Sequence, residues 1–373
     1  MRAYVFTDKS LERYAGRFVW LSVNTEDAKN ASFLAKYPIP ALPTMLVLDP
    51  SGTRIEMRYI GGATVAQLQK MLDDASKKTR SSSDAAVASA DKLASEGKHA
   101  EAAKLYETAI AKAPKQWSRF GPTAESLMFS FSDAKEYERC ASEAAELYAR
   151  LQSTRSGANV AAAGLDCATN LDEKEPKRAS LLAALEKDTR EALDDPKIVL
   201  DPDDRSAMYM ELIAAREAVK DAAGAKTLRE EWVAFLEKSA AEAKTAEQRA
   251  VYDSHRLTAY IELGTPEKAI PMLEQSERNF PDDYNPPARL AWAYNAMKDY
   301  DKAIAASDRA LPKAYGPRKL LILRQRADMF AAKGEKEAAR STMADAVAYA
   351  KSLPKSQVRA STIAALEKKL KEM

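Results

Sequence analysis

The sequence predicts a mainly α protein, in which about seven helical hairpins form an α-solenoid behind a short, incomplete α/β module. Small residues recur at fixed intervals through most of the chain, which is typical of stacked helix pairs. Two apolar runs near the N-terminus are instead typical of strands. We expect an α/β module at 1–75, a linker at 76–83, helical repeats at 84–354 and a capping helix at 355–373.

The N-terminal module is predicted to contain three strands and two helices. The apolar run Arg17–Asn24 predicts a buried strand, and Thr25 then caps a helix that ends near Lys36. Thr44–Asp49 is almost wholly apolar, as a central strand covered on both faces would be. Arg54–Ile60 alternates and predicts a strand with one exposed face. Val65, Leu68, Met71 and Leu72 predict the apolar side of a closing helix.

This order resembles the C-terminal half of the thioredoxin fold. The resemblance rests on a proline directly before Thr44 and the following apolar strand, and on a glycine, Gly62, after the last strand. It implies that Leu42–Pro43 is the cis-proline peptide, and that Leu42, Pro43 and Thr44 form a substrate-binding loop. The run Tyr4–Asp8 resembles an aromatic segment of the disulfide-reductase-like subgroup of this family.

The chain departs from that family because it contains no Cys-x-x-Cys motif. The dithiol and the strand before it would precede Met1, and that strand would lie between two strands that the chain does contain. Its loss would leave buried backbone groups unpaired. We therefore hypothesise that the natural reading frame starts upstream, and the alternative is a degenerate domain kept as a packing module.

Beyond the serine-rich stretch Ser76–Ser83, the spacing matches the tetratricopeptide pattern, in which small residues at helix crossings alternate with large ones. Ala303 follows Ala269 by 34 residues, which is the period of that repeat. The first unit runs from Asp84 to Pro114, and the clearest others lie in the last third of the chain. Between them the pattern is weaker and predicts three pairs, Pro122–Phe131 with Glu136–Gln152, Gly157–Leu171 with Lys177–Leu193, and Asp203–Val219 with Ala225–Ala243. A final charged helix, Ser356–Lys371, is expected to cap the solenoid.

The resemblance to tetratricopeptide arrays implies a concave groove, lined by the first helix of each pair, that binds a protein or peptide. An exposed aromatic residue such as Trp292 would be an anchor there, although packing between repeats is the alternative role. The paired Lys, Asn and Arg set that holds a C-terminal carboxylate in some members is not evident. The positions that the repeat register predicts to face the groove are Ser254, Thr258, Glu262, Trp292, Asn295, Arg324 and Asp328.

Composition excludes several classes of function. The 57 basic and 55 acidic residues nearly cancel, which argues against a nucleic-acid partner. No apolar run is long enough to span a bilayer, and no secretory signal precedes Asp8, so the chain as written is expected to be cytoplasmic. An upstream start would instead place it in the periplasm or cell envelope.

The two cysteines and two histidines suggest no cofactor, metal or catalytic site. Cys140 and Cys167 are expected to be buried thiols on separate helix pairs, and a disulfide between them is the alternative. The sequence therefore predicts a non-catalytic interaction scaffold. The alternative function is an envelope thiol-disulfide oxidoreductase whose dithiol lies upstream, since that chemistry needs a reactive cysteine pair. A third role for the module is to cap the first repeat.

Overall fold

The computed structural model describes residues 4–39, 42–76, 81–114, 116–355 and 357–373, and the described chain is mainly helical. Two compact units make up the chain. Unit 1 contains Met1–Arg17 and Pro38–Trp232, and unit 2 contains Phe18–Tyr37 and Val233–Met373. Each unit therefore combines a stretch of the N-terminal region with a stretch of the helical array.

Strand β1 spans Thr44–Leu48 and strand β2 spans Ile55–Ile60. Short 3-10 helices lie at Lys9–Tyr14, Ala28–Asn30 and Pro266–Lys268. The α-helices, numbered in chain order, are α1 Ala31–Lys36, α2 Val65–Ala75, α3 Ser82–Ser95, α4 His99–Ala111, α5 Phe120–Asp133, α6 Tyr137–Leu151, α7 Arg155–Thr169, α8 Arg178–Asp194, α9 Pro202–Ala218, α10 Ala222–Glu242, α11 Ala246–Ala250, α12 Asp253–Glu262, α13 Ala269–Asn279, α14 Asn285–Ala296, α15 Tyr300–Ala310, α16 Gly316–Lys333, α17 Lys336–Ser352 and α18 Ala360–Glu372.

Small residues let consecutive helices pack closely. In unit 1, α3 packs on α4, α6 on α7 and α7 on α8, while α7 also contacts the first helices on either side of it, α5 and α9. In unit 2, α14 packs on α15 and α16 on α17. The predicted crossing residues Ala102, Ala269, Ala303 and Ala310 are fully buried. The contacts of α5 with α6 and of α7 with α8 confirm two of the three pairs predicted in the middle of the array, in which small side chains allow close approach.

A disulfide joins the two cysteines, with the Cα atoms 6.0 Å apart. Cys140 lies on α6 and Cys167 on α7, and both are fully buried. The expectation of two separate thiols was therefore wrong, although the expectation of burial is confirmed. The cysteines belong to consecutive helices that face each other, so the second helix of one pair is linked to the first helix of the next.

The described part of the N-terminal module contains a β-hairpin and a helix. Strands β1 and β2 pair antiparallel, with Thr44 opposite Ile60, and α2 follows with a capping box at Thr64. The predicted strand at Thr44–Asp49 is present as β1, but it is not a central strand covered on both faces. It lies in a two-stranded sheet and is half-buried. The predicted exposed face of β2 was also wrong, since Arg58 is buried and donates hydrogen bonds to two carbonyl oxygens.

The predicted strand Arg17–Asn24 is not a strand, and Val19 and Leu21 are exposed. Residues 18–37 belong to unit 2 whereas the hairpin belongs to unit 1, so the described residues of unit 2 offer this run no strand to pair with. The predicted helix from Thr25 shortens to a 3-10 turn and α1. Asn24 accepts a hydrogen bond from the Glu26 backbone, and this local bond competes with helix formation.

The predicted linker ends earlier than expected, and the capping helix begins later. Residues 77–80 lie outside the described residues, but Ser81 is the N-cap of α3 and Ser82 and Ser83 are helical. The Ser81 hydroxyl accepts a hydrogen bond from the Asp84 backbone at 3.1 Å, so the end of the serine-rich stretch starts a helix. The final helix begins at Ala360, and its predicted start, Ser356, lies outside the described residues.

Within unit 2, residues 24–26 contact the start of α16. The Asn24 amide donates a hydrogen bond to the Tyr315 hydroxyl at 2.9 Å, and the Arg318 guanidinium donates to the Glu26 carboxylate at 2.9 Å. A Cβ atom at Gly316 would lie 2.7 Å from the Glu26 carbonyl oxygen, and the φ angle of Gly316 is +53°. This glycine is therefore required by both the backbone conformation and the approach of the segment.

We predict that Gly316→Ala loosens residues 18–37 from unit 2. Gly334→Ala is the matched control, because Gly334 also has a positive φ angle, but a Cβ atom added there would have no neighbour within 4 Å. Both variants lose about 1 kcal/mol through backbone strain. Only Gly316→Ala should accelerate limited proteolysis between Phe18 and Tyr37. Equal cleavage rates in the two variants would contradict the contact.

Candidate functional site

The sequence-predicted groove residues lie on the first helices of three consecutive pairs in unit 2. Ser254, Thr258 and Glu262 lie on α12, Trp292 and Asn295 on α14, and Arg324 and Asp328 on α16. Glu262, Arg324 and Asp328 are exposed, whereas Ser254, Thr258 and Asn295 are half-buried. Their common location on first helices follows from the repeat register, and their role in binding remains a prediction.

Trp292 is 38% exposed, and Leu321 on α16 is 40% exposed. Leu321 was not among the predicted groove residues, although it lies one helical turn before Arg324 on the same helix. Asp328 accepts a hydrogen bond from Lys369 on α18 at 2.6 Å. The first helices thus carry two exposed apolar side chains beside polar ones, and one predicted groove carboxylate already has a partner in the capping helix.

The predicted substrate loop of the N-terminal module lies at the start of β1. The Leu42–Pro43 peptide bond is cis. The Pro43 carbonyl accepts a hydrogen bond from the Gly61 backbone at 2.8 Å, and Leu42 is 61% exposed. Thr44 begins β1. The proposed substrate role of these three residues stays a prediction.

Sequence reasoning missed a buried cation, Arg155, at the start of α7. Its guanidinium donates hydrogen bonds to the Tyr59 hydroxyl at 2.9 Å, to the Gly62 carbonyl at 2.6 Å and to the Asp201 carboxylate at 2.7 Å. It also contacts the Gln67 side-chain oxygen and the Asp204 carboxylate. The network joins the hairpin and α2 to helices α7 and α9. The sequence contains one local sign of this network: Asp201, directly before Pro202, is a typical helix N-cap residue.

The electrostatics of this network favour a charged Arg155. Two carboxylates offset its burial and raise the pKa of Arg155 above its usual value. Burial raises the pKa of Asp204, and Arg155 opposes that shift. Gly62 allows the approach, because a Cβ atom there would lie 2.6 Å from Asp201 Oδ2. The network therefore joins the module to the array, and its charged groups pair with one another.

A second feature, also not predicted, is a pair of carboxylates on adjacent first helices. Glu211 lies on α9 and Asp166 on α7. Burial, together with the nearby charge of Asp166, raises the pKa of Glu211 to about 7. Burial likewise raises the pKa of Asp166. When Glu211 ionises, its charge is poorly hydrated and is repelled by Asp166, so the free energy of unfolding falls.

Comparison with known proteins supports the repeats in unit 2. Residues 260–327 match the tetratricopeptide repeat family model. This range holds the end of α12, all of α13, α14 and α15, and most of α16, and it includes Trp292, Asn295 and Arg324. No curated protein matches the chain significantly.

One similar solved structure is the TPR2AB-domain:pHSP90-complex of yeast Sti1. It is 14% identical, with a TM-score of 0.29, and the alignment covers 78% of this chain and 98% of that chain. A likeness this weak does not establish a shared function. Among the described residues, no helix is both long enough and apolar enough to cross a membrane.

We predict that Glu211→Gln stabilises the protein at neutral and alkaline pH. The raised pKa means that the folded chain keeps this proton between pH 4.5 and about 7, where the unfolded chain loses it. Raising the pH through that window therefore lowers the free energy of unfolding, by about 1–3 kcal/mol. Urea unfolding at pH 4.5 and pH 8 measures the difference. The control is Glu173→Gln at an exposed loop site, and equal pH dependence in wild type and Glu211→Gln would refute the assignment.

Proposed function

We propose that the chain is a non-catalytic scaffold that binds a protein or peptide in the groove of unit 2, with Trp292 as the anchor. The observation that carries this proposal is the exposure of Trp292 on the first helix of a pair within the matched repeats. Tryptophan is enriched among residues that dominate binding energy, because it buries a large area at little cost in side-chain entropy.

The other predicted groove positions and Leu321 suggest the chemistry of the partner. Leu321 adds a second exposed apolar side chain on α16, while Asn295 and Arg324 supply an amide and a cation. A partner segment with one or two apolar side chains flanked by hydrogen-bonding or acidic groups matches this set. The apolar contacts would provide affinity and the polar contacts would fix register.

The two cysteines of the chain have a structural role in this proposal. Cys140 and Cys167 are bonded to each other and have no exposed surface, so neither sulfur can be attacked without local unfolding. Disulfides persist chiefly in oxidising compartments, which favours the envelope location over the cytoplasmic one. Alkylation of the protein inside its native cells tests this location. If Cys140 and Cys167 are found there as free thiols, the envelope location is wrong.

We predict that Trp292→Ala abolishes tight binding of peptides selected on the wild-type protein. Peptides are selected from a random library and their affinities are then measured by calorimetry. Truncating an anchor of this kind costs about 2 kcal/mol or more, which is a loss of about thirtyfold. The control is Met297→Ala, since Met297 has a similar exposure of 40% but directly follows α14. Equal affinity for wild type and Trp292→Ala would refute the proposal.

A further inference from the structure

A cavity of about 220 Å³ lies within unit 1 beneath β2. Its walls come from β2, α2, α3, the start of α5 and the start of α7. This volume is below the range of about 300–1,000 Å³ that is usual for drug-sized ligands. It is suited to a group of about the size of one amino-acid residue.

Charged side chains of both signs line the cavity. Arg58, Lys70, Arg119 and Arg155 line the cavity, against only two acidic side chains, Asp74 and Asp91, among the described residues. Arg155 is matched by Asp201 and Asp204 and is already hydrogen-bonded. Asp91 accepts a hydrogen bond from the Tyr106 hydroxyl at 2.6 Å, and burial raises its pKa. Asp91 also interacts electrostatically with Arg119 and Arg58, and Asp84 pairs with Arg119, so the cations of the cavity are partly matched.

Arg58 is the most unusual of these side chains. It is 8% exposed, and its Nη atoms donate to the neutral carbonyl oxygens of Pro38 and Asp91 at 2.7 and 3.3 Å. Its Nε atom is buried and has no hydrogen-bond partner among the described residues. Burial lowers the pKa of Arg58, so nearby charges do not fully offset its loss of hydration. An anion in the cavity would supply the missing acceptor and charge.

Arg119 is the second cation suited to hold an anion. Its guanidinium lies 3.5 Å from the Asp84 carboxylate, and only 16% of its side chain is exposed. The same Asp84 oxygen accepts a hydrogen bond from the Trp117 ring nitrogen at 3.0 Å. Arg119 is therefore positioned by a long ion pair beside the cavity, and a guanidinium can bind a carboxylate through two parallel hydrogen bonds.

The apolar walls decide which kind of anion fits. Met57, Met71, Val87 and Pro122 line the same cavity. A bare phosphate or sulfate would leave these side chains facing an ion with no hydrocarbon, whereas a carboxylate on a short carbon chain satisfies both the cations and the apolar surface.

We propose that this cavity binds a carboxylate-bearing group of one-residue size, held by Arg58 and Arg119 with Lys70 at the exposed side. The group is either a small free carboxylate or the C-terminal residue of a peptide. The site lies entirely in unit 1 and does not depend on the Trp292 groove of unit 2, so each can fail separately.

The experiment is calorimetric titration of the full chain with three probes: succinate, the peptide acetyl-Ala-Ala-Leu with a free C-terminus, and the same peptide as its amide. At least one free carboxylate should bind, and the amide should not. Arg119→Gln should weaken binding about tenfold or more, since it removes a charge-assisted hydrogen bond. Lys70→Gln, at an exposed residue, repeats the test with little risk to folding.

The matched control is Lys92→Gln, an exposed lysine on α3 that does not line the cavity. Binding of succinate alone identifies a small-molecule source, and binding of the peptide acid identifies a C-terminus. The proposal is overturned if no probe binds at millimolar concentration, if the amide binds as tightly as the acid, or if Lys92→Gln weakens binding as much as Arg119→Gln and Lys70→Gln.

Discussion

The burial of one guanidinium, that of Arg155, constrains how the hairpin and α2 pack against α7 and α9 in unit 1. A buried charge is tolerated only when its hydrogen bonds and its charge are both satisfied. Arg155 meets this condition by binding the hydroxyl of Tyr59 and the carbonyl of Gly62 on one side and the carboxylates of Asp201 and Asp204 on the other. The hairpin, α2, α7 and α9 are therefore held in one arrangement, because moving any of them would leave buried polar groups unpaired.

This constraint gives the N-terminal module a structural role without a complete sheet. A hairpin and one helix bury too little apolar surface to fold stably alone. Packed on α3, α5 and α7, the module encloses a cavity whose cations outnumber its carboxylates. The proposed Trp292 groove involves different helices, in unit 2. The chain thus has two candidate recognition sites of different chemistry, one apolar and one cationic.

The sequence predicted the array well because its signals are local. Alanines at repeat spacing, such as Ala303 and Ala310, predict helix crossings between neighbouring helices, and the helices of the array lie close to their predicted positions. The hairpin was also predicted, since Asp49 and Gly52 form a turn between two apolar runs. The cis state of Leu42–Pro43 agrees with the implied one.

The features that sequence analysis missed depend on contacts between distant residues. The apolar run from Arg17 suggested a strand, but residues 18–37 belong to unit 2, whose described residues form no strand. The Cys140–Cys167 bond depends on which helices face each other, and the Arg155 network joins residues up to 96 positions apart. No local spacing encodes such contacts. The exposure of Trp292 likewise required the folded array, because packing and binding roles have the same sequence pattern.

Hydrogen–deuterium exchange in Arg155→Met tests the central claim, that this side chain holds the module on the array. Methionine keeps the length but removes the charge and the donors, and it leaves Asp201 and Asp204 buried without their cation. The account predicts faster exchange in β2 and α2, with α16 and α17 protected as in the wild type. Unchanged exchange in β2 and α2 would contradict it and show that apolar packing alone holds the module.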